Sequence, residues 1–529
     1  MTLGSATAVT SIAELLHAAA TDSAERVALR GEGRELTYRQ LHDVVNQAAA
    51  AWHAAGLRPG DRVAVWAGNT VDCAVTMLSV IVAGGVLVPL NPRYTVAEVS
   101  GLLARSRCRF IVATDAVAGR NLAAEVLPVA DGTPVVVLGH DVPPGARAWA
   151  DLYAAGANRP TPRLAPGEIA AIQFTSGTTG KPKGAMLRQA PMVSTARTWA
   201  HVVGLQPGDV FPVLYPLAHV GGFKTGIVSA AHARATMVLI PVVSASTIVD
   251  LIRAGGISVL NAPPTAQAYV LEARRRGELP GDLGIRTAVI GSAIAPPELV
   301  RALVTELGVD DVIIGYGLTE ATGVCTMTRR GDPLEIPCTT IGRAIDEVEV
   351  RICPTSAADA GTSEADAAGE PRIGEIEVRG PNIMAGYLDD PQATADVMHD
   401  GWLRTGDLGW IGPDGNVRIA GRARDLVIVG GFNVYPAEIE HVLLDHPGVR
   451  EAAVVGVPDQ RLGEVTAAFV VGDADPDELL AWCEQRLANF KVPRHIWPVA
   501  ELPRNSVGKI IKADLAAQAR LRSGRGSAP

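Results

Sequence analysis

Residues 169–184 read IAAIQFTSGTTGKPKG. The apolar run 169–174 has strand character, and the string behind it sets small hydroxyl residues among glycines where that strand ends. Such a loop lets backbone N–H groups and hydroxyls close on phosphate oxygens while a lysine adds charge. It is not a Walker A loop, because Pro182 follows the first lysine where Ser or Thr would hold magnesium. The plain alternative is a flexible solvent loop.

Outward from this string, helix-period segments alternate with short apolar runs. Residues 41–57 read as an amphipathic helix, and 62–66 (RVAVW), 135–138, 237–240, 259–260, 288–290 and 312–314 as strands. The alternation predicts an α/β fold with layered subdomains and substantial parallel sheet. The most apolar stretch, 74–90, is broken by Gly84, Gly85 and Pro89; it reads as helix, glycine turn and buried strand, not as a membrane span. From residue 371 the texture turns to alternation and glycine turns, predicting a small antiparallel or β-barrel-like piece. Beyond Asp425 a strand–helix–strand pattern begins again. The expected division is a large domain over 1–424 and a small α+β domain over 425–529. Two Ala/Pro- or Ala/Asp-rich loops, 141–166 and 354–370, look dispensable to the core.

The chain has 529 residues, 48% hydrophobic and 19% charged, with a formal net charge of −9. That excludes wholesale disorder and, with no basic stripe, disfavours nucleic acid as a partner. Six scattered cysteines without a CxxC pair read as reduced thiols. The first 25 residues carry no basic residue and no cleavage pattern, so a cytoplasmic protein without stable membrane association is expected.

Arginine supplies most of the positive charge, and only six lysines occur: Lys181, Lys183, Lys224, Lys491, Lys509 and Lys512. Two lie in the glycine–threonine loop and two near a glycine turn at 503–510 (PRNSVGKI). Lysine is a compact point charge on a flexible stem, suited to reaching one oxyanion. Three further strings carry chemistry. In GYGLTE (315–320) an aromatic beside glycines can stack on a flat base, a hydroxyl can bond phosphate, and a carboxylate can hold Mg²⁺; a strand-to-helix turn with a capping threonine explains it as well. In 402–425 (WLRTGDLGWIGPDGNVRIAGRARD), Asp407 can take both hydroxyls of a ribose, with Arg422 in support, although a lone Asp is more often a turn former. In 430–436 (GGFNVYP) a glycine pair permits close backbone approach.

Together and in this order, the strings resemble the adenylate-forming superfamily of acyl- and aryl-CoA synthetases, peptide-synthetase adenylation domains and luciferases. LNPRYT, APPT, GYGLTEATG, GFNVYPAEIE, GVPDQRLGE and LANFKVPR are most similar to actinobacterial acyl-CoA synthetases acting on steroid-degradation acids. The resemblance implies an acid–thiol ligase using Mg²⁺, ATP and coenzyme A. It would form acyl-AMP from a carboxylic acid, and a thioester after its C-terminal domain swings. It further implies that Thr175, Ser176, Gly177, Thr178, Thr179 and Lys183 cradle the β,γ-phosphates, that Thr319 meets the α-phosphate and that Glu320 holds Mg²⁺. Tyr316, Gly317, Ser292 and Ala293 would flank adenine, and Asp407 and Arg422 would hold ribose. Lys509 would bridge carboxylate and α-phosphate, His219 would floor the acyl site, Asp425 would be the hinge, and Gly431 would pass close to pantetheine. Ala218, Gly222, Lys224, Gly291 and Gly317 would border the acid, and a homodimer is expected.

Three departures stand out. Arg424 replaces a lysine at the hinge motif, and Ser292 stands where glycine is common. Ala218 replaces an aromatic before His219. With the neighbouring glycines, Ala218 predicts a wide pocket for a bulky alicyclic or polycyclic acid, unless a neighbour refills the space. Alternatives are a ligase retaining mainly the thioester-forming half-reaction, an enzyme loading a free carrier protein, a luciferase-like oxygenase and a nucleotide-binding regulator.

Overall fold

The computed structural model describes residues 9–154, 168–175, 182–293, 295–354, 373–422, 425–429, 432–459, 462–487, 489, 491–505 and 509–524. The stretch 74–90 shows how the first layer forms. Thr70 caps the helix Val71–Val82 through its hydroxyl, Gly84 turns the chain at φ +83°, and Val86–Leu90 enters the sheet buried at every position. A residue with a Cβ is strained at that φ. The neighbouring helix is Tyr38–Ala54. It starts three residues before the apolar periodicity does, because Thr37 and Gln40 form a reciprocal capping box. Its Trp52 donates to the Ser79 hydroxyl at 3.0 Å, locking the two helices over one sheet face.

That sheet has seven strands, ordered Arg147–Ala148, Val135–Leu138, Phe110–Thr114, Arg62–Trp66, Val86–Leu90, Ile169–Thr175 and Lys183–Arg188. All neighbours are parallel except the last pair. A second sheet joins Val259–Asn261, Thr287–Ile290 and Asp311–Tyr316 in parallel and continues antiparallel through Thr326–Met327 and Arg343–Ala344. Four strands from Val210–Val213 to Arg34–Thr37 make a third. The glycine-rich texture beyond residue 371 supplies four strands of a five-stranded antiparallel sheet, in which Trp402–Ile411 pairs with Gly374–Arg379 and Val417–Arg422 and the fifth strand is Glu349–Cys353.

Residues 427–519 build a core of their own around the long pair Val449–Asp459 and Gly463–Gly472, backed by the helix Pro436–Leu444. In the loop 141–166, of which 155–166 lies outside the described residues, the first part is less dispensable than its composition implies. Its helix Trp149–Ala154 buries Leu152, and Trp149 packs 5.5 Å from Trp52. Of the second loop, 354–370, all but Pro354 lies outside the described residues.

Candidate functional site

The strands Thr287–Ile290 and Asp311–Tyr316 lie side by side in parallel, Ile290 opposite Ile314, so both release their loops at one sheet edge. Loops at the carboxyl ends of parallel strands are where α/β folds gather ligands. One loop carries Gly291, Ser292 and Ala293, with Ser292 and Ala293 exposed. Ser292 sits at φ +70°, which explains why glycine suits this position. The other carries Gly315 to Glu320. A third element reaches the same edge: Tyr215 donates its hydroxyl to the Gly291 carbonyl at 3.3 Å, and its ring stacks on His219 with centroids 6.1 Å apart.

Tyr316, at the end of its strand, donates to Asp407 Oδ2 at 2.7 Å. Burial, reinforced by the Asp407 charge, pushes the phenol well above its ordinary range, so it stays a donor. Asp407 is buried and lies opposite Arg422 across an antiparallel strand pair. The backbone thus brings these two together; the Arg422 side chain lies outside what is described.

Glu320 accepts from the Tyr387 hydroxyl at 2.8 Å and from Thr175 Oγ1 at 3.3 Å, both on Oε1. Thr175 faces Lys183 across the hairpin that brackets the glycine–threonine loop, and Lys183 Nζ stands 5.2 Å from the Tyr387 ring centroid. Tyr387 reaches this position because the chain around it pairs with Gly184 and Met186 on the edge of the large sheet. Burial and the adjacent Glu320 charge raise its pKa. Thr319 opens the short turn that ends in Thr322. The Thr322 hydroxyl donates to the Asn382 carbonyl at 2.6 Å, and Asn382 Nδ2 donates to the carbonyls of Ala321 and Val324. Ser176, Gly177, Thr178 and Thr179 lie outside the described residues, as does Gly431.

Among the described residues no group of three His, Cys, Asp or Glu side chains can cage a metal. The donor set does fit Mg²⁺, which takes one or two carboxylates and fills its remaining positions with water and phosphate oxygens. Glu320 has Oε1 fixed by two hydroxyls and Oε2 without a hydrogen bond among the described residues.

His219 caps a short helix by accepting the Gly221 N–H on Nδ1 at 3.0 Å. Burial lowers its pKa to about 4, so at neutral pH its proton resides on Nε2 as a donor. The turn is anchored by Asn69, which accepts from Leu217 N–H and donates to the carbonyls of Val213 and Tyr215. Gln173 donates to the Ala218 carbonyl at 3.2 Å, tying the turn to the strand before the glycine–threonine loop. The glycines of this turn are required by the turn itself. A Cβ on Gly222 would stand 2.1 Å from the Pro216 carbonyl oxygen, and one on Gly221 would stand 3.0 Å from His219 Nδ1. Gly317 is likewise set by its own chain, since a Cβ there would stand 2.5 Å from Val324 Cα. Lys224 follows on a π-helical segment, Phe223–Val228, and is buried. A surface cleft of about 590 Å³ between residues 30–35 and 238–251 includes none of these residues.

The described contacts that join Thr175, Lys183, Tyr316, Glu320 and Asp407 all fall within residues 173–407. Lys509 belongs to a separate turn, where Asn505 N–H donates to its carbonyl at 2.8 Å and its own N–H donates to Asn505 Oδ1 at 2.9 Å. Asp425 lies between the strands Val417–Arg422 and Val427–Val429. Tyr387, Asn69, Asn382 and Gln173 were not evident from sequence, because each is a single residue in ordinary surroundings, placed only by the topology.

Around the strand-end loops thus stand two tyrosine-held carboxylates, Asp407 and Glu320, with a neutral histidine and a buried lysine on the segment that follows Tyr215. The chain belongs to the AMP-binding enzyme family, which matches residues 16–388, and the AMP-binding enzyme C-terminal domain matches 438–509. It is an acid–thiol ligase, an AMP-forming acyl-CoA synthetase. It is 39% identical over 509 residues to a methyl-dioxo-octahydroindenyl-propanoyl:CoA ligase of Mycobacterium tuberculosis, spanning 93% of this chain and 95% of that one. The ligase of the same name from Rhodococcus jostii is 38% identical, over 94% and 96%. An anthranilate CoA ligase solved in complex with anthranoyl-AMP superposes with a TM-score of 0.86 at 25% identity, covering 99% of this chain and 100% of that one. No helix among the described residues is long and apolar enough to cross a membrane.

Proposed function

We propose that this ligase activates a bulky fused-ring carboxylic acid, of steroid or terpenoid origin, and carries out both half-reactions itself. The observation that carries the substrate class is the similarity along nearly the whole chain to two ligases named for a bicyclic dioxo propanoate. In the first step a carboxylate oxygen forms a bond to the α-phosphorus of ATP while the bond from that phosphorus to the α,β-bridging oxygen breaks, releasing the β and γ phosphates as pyrophosphate. In the second the CoA sulfur bonds to the acyl carbon, its proton is lost, and AMP leaves.

Within that reading, Tyr316 and Asp407 fix the nucleoside end, Asp407 accepting from the ribose hydroxyls. Thr175, Thr319 and Lys183 take phosphate oxygens. Glu320 holds Mg²⁺, which when bound draws charge from those oxygens. His219, neutral and donating from Nε2, borders the acid. Lys509 neutralises the charge shared between carboxylate and α-phosphate as they meet. The domain boundary falls at 424/425, with Asp425 as hinge, so that the 427–519 core moves as one body and brings first Lys509 and then Gly431 to the site.

The test is incubation with Mg-ATP and a panel of acids without CoA, reading acyl-AMP by mass spectrometry. An adenylate from a bicyclic or larger ring acid, absent with acetate, benzoate and palmitate, is the expected result. Adenylates only from the simple acids would refute the substrate class.

A further inference from the structure

Lys224 is the described lysine whose environment is least explained. Lys183 lies over the Tyr387 ring, and Lys491 and Lys512 each pair with a glutamate at 2.6 Å. Lys224 is 1% exposed, and its Nζ has no hydrogen-bond partner among the described residues. An ammonium carries three donors, and burying it unpaired is among the costlier arrangements a fold can hold. The group whose charge acts on it is the Cys325 thiol, and that thiol is pushed up to about 12 by burial, so it is protonated and supplies no counter-charge. The lysine itself is lowered to about 7 by burial.

Its location is as pointed as its lack of a partner. The π-helical segment begins directly after the His219–Gly222 turn, and such segments concentrate at functional sites. The Lys224 Cε lies 3.6 Å from where a Cβ on Gly323 would stand, and Gly323 turns at φ +86° immediately behind the Gly315–Glu320 loop. The Lys224 side chain therefore packs against Gly323, behind the Gly315–Glu320 loop, from a segment that directly follows the His219 turn.

We propose that Lys224 is a specificity-determining residue, donating a hydrogen bond to a carbonyl oxygen on the body of the acid, remote from the carboxyl that is activated. This rests on the fused-ring reading above and sharpens it to an oxo acid. A site built to bond a substrate oxygen discriminates strongly against the analogue lacking it, because the buried donor is then left unpaired.

The experiment compares kcat/KM for a bicyclic oxo propanoate and its deoxo analogue in the wild type, Lys224→Met and Lys224→Gln, at saturating Mg-ATP and CoA. The wild type should prefer the oxo acid by about 10- to 100-fold. Lys224→Met should bring the ratio close to one, mainly through KM for the oxo acid, and Lys224→Gln, which keeps a donor, should fall between. If the methionine variant does not fold, the glutamine variant carries the comparison. An unchanged ratio in the variants would overturn the proposal and point to an internal water on Nζ. An equal rise in KM for ATP would overturn it in favour of a nucleotide contact. Wild-type enzyme that adenylates neither ring acid would instead refute the fused-ring reading, and this inference with it.

Discussion

In the strand-end cluster the side chains of Thr175, Tyr316, Glu320 and Asp407 are held by other elements. Tyr316 is tied to Asp407 across 91 residues of chain, and Tyr387 to Glu320 across 67. Around Lys509 the described bonds join Asn505 to Lys509 and Pro503 to Ile511, and Arg504 pairs with Glu451 at 2.8 Å, all within the 427–519 core. The first region gains its geometry from sheet topology and is organised before any ligand arrives, which is what positioning and electrostatic catalysis require. The described contacts of the second stay within the 427–519 core, so in the proposed reading it travels with that core and keeps its shape. The proposed roles match that difference: a lysine that moves needs a turn anchored in the moving core, and a site for phosphate and ribose needs cross-links between elements.

Three perturbations probe how far that contrast holds. Among the cross-linked residues, Glu320→Gln should cost most: it keeps the shape but removes the charge proposed to hold Mg²⁺. We expect acyl-AMP formation to fall by about 100- to 1,000-fold, and raising Mg²⁺ should restore part of it. Tyr387→Phe removes one hydroxyl from the same carboxylate. A fall of about tenfold, with a higher Mg²⁺ concentration at half-maximal rate, would show that Tyr387 positions Glu320; a lower rate at an unchanged Mg²⁺ requirement would not.

The smallest effect concerns pH and stability. Burial lowers both His219 and His232 to about 4, so between about pH 6.5 and pH 4 the unfolded chain binds protons that the folded chain does not. Their contribution is therefore intact above pH 6.5 and lost as pH falls through that window. Urea unfolding from pH 7.5 to 4.5 should show this slope, and His219→Gln should flatten it. A slope unaffected by the substitution would mean that His219 is not desolvated in solution.

The same contrast explains what could be read from sequence. The strands Arg62–Trp66 and Val135–Leu138 have the bounds expected of them, since short continuous apolar runs signal buried parallel strands unambiguously in this α/β alternation. The helix Tyr38–Ala54 starts earlier than its apolar period, because a capping box and not hydrophobicity sets its start. The segment Arg147–Ala154 was disguised by its Ala- and Pro-rich surroundings, and only the packing of Trp149 on Trp52 reveals its role. At the site, Tyr316, Glu320 and Asp407 were legible because they sit in contiguous strings whose residue types share one chemistry. Tyr387 and Asn69 were not, because their partners lie far away in the chain and no local pattern records them. Gly222 was legible as special, and the structure adds a reason the sequence does not record, the room its missing Cβ leaves for the Pro216 carbonyl.

The most direct test of the division of labour between the two regions uses Lys509→Ala in both half-reactions. Acyl-AMP formation from Mg-ATP and the ring acid should fall by about 100- to 1,000-fold, while acyl-CoA formation from supplied acyl-AMP and CoA should be far less affected. Equal loss in both half-reactions would contradict the account, since the Lys509 turn would then support the site as a whole and not one step of it.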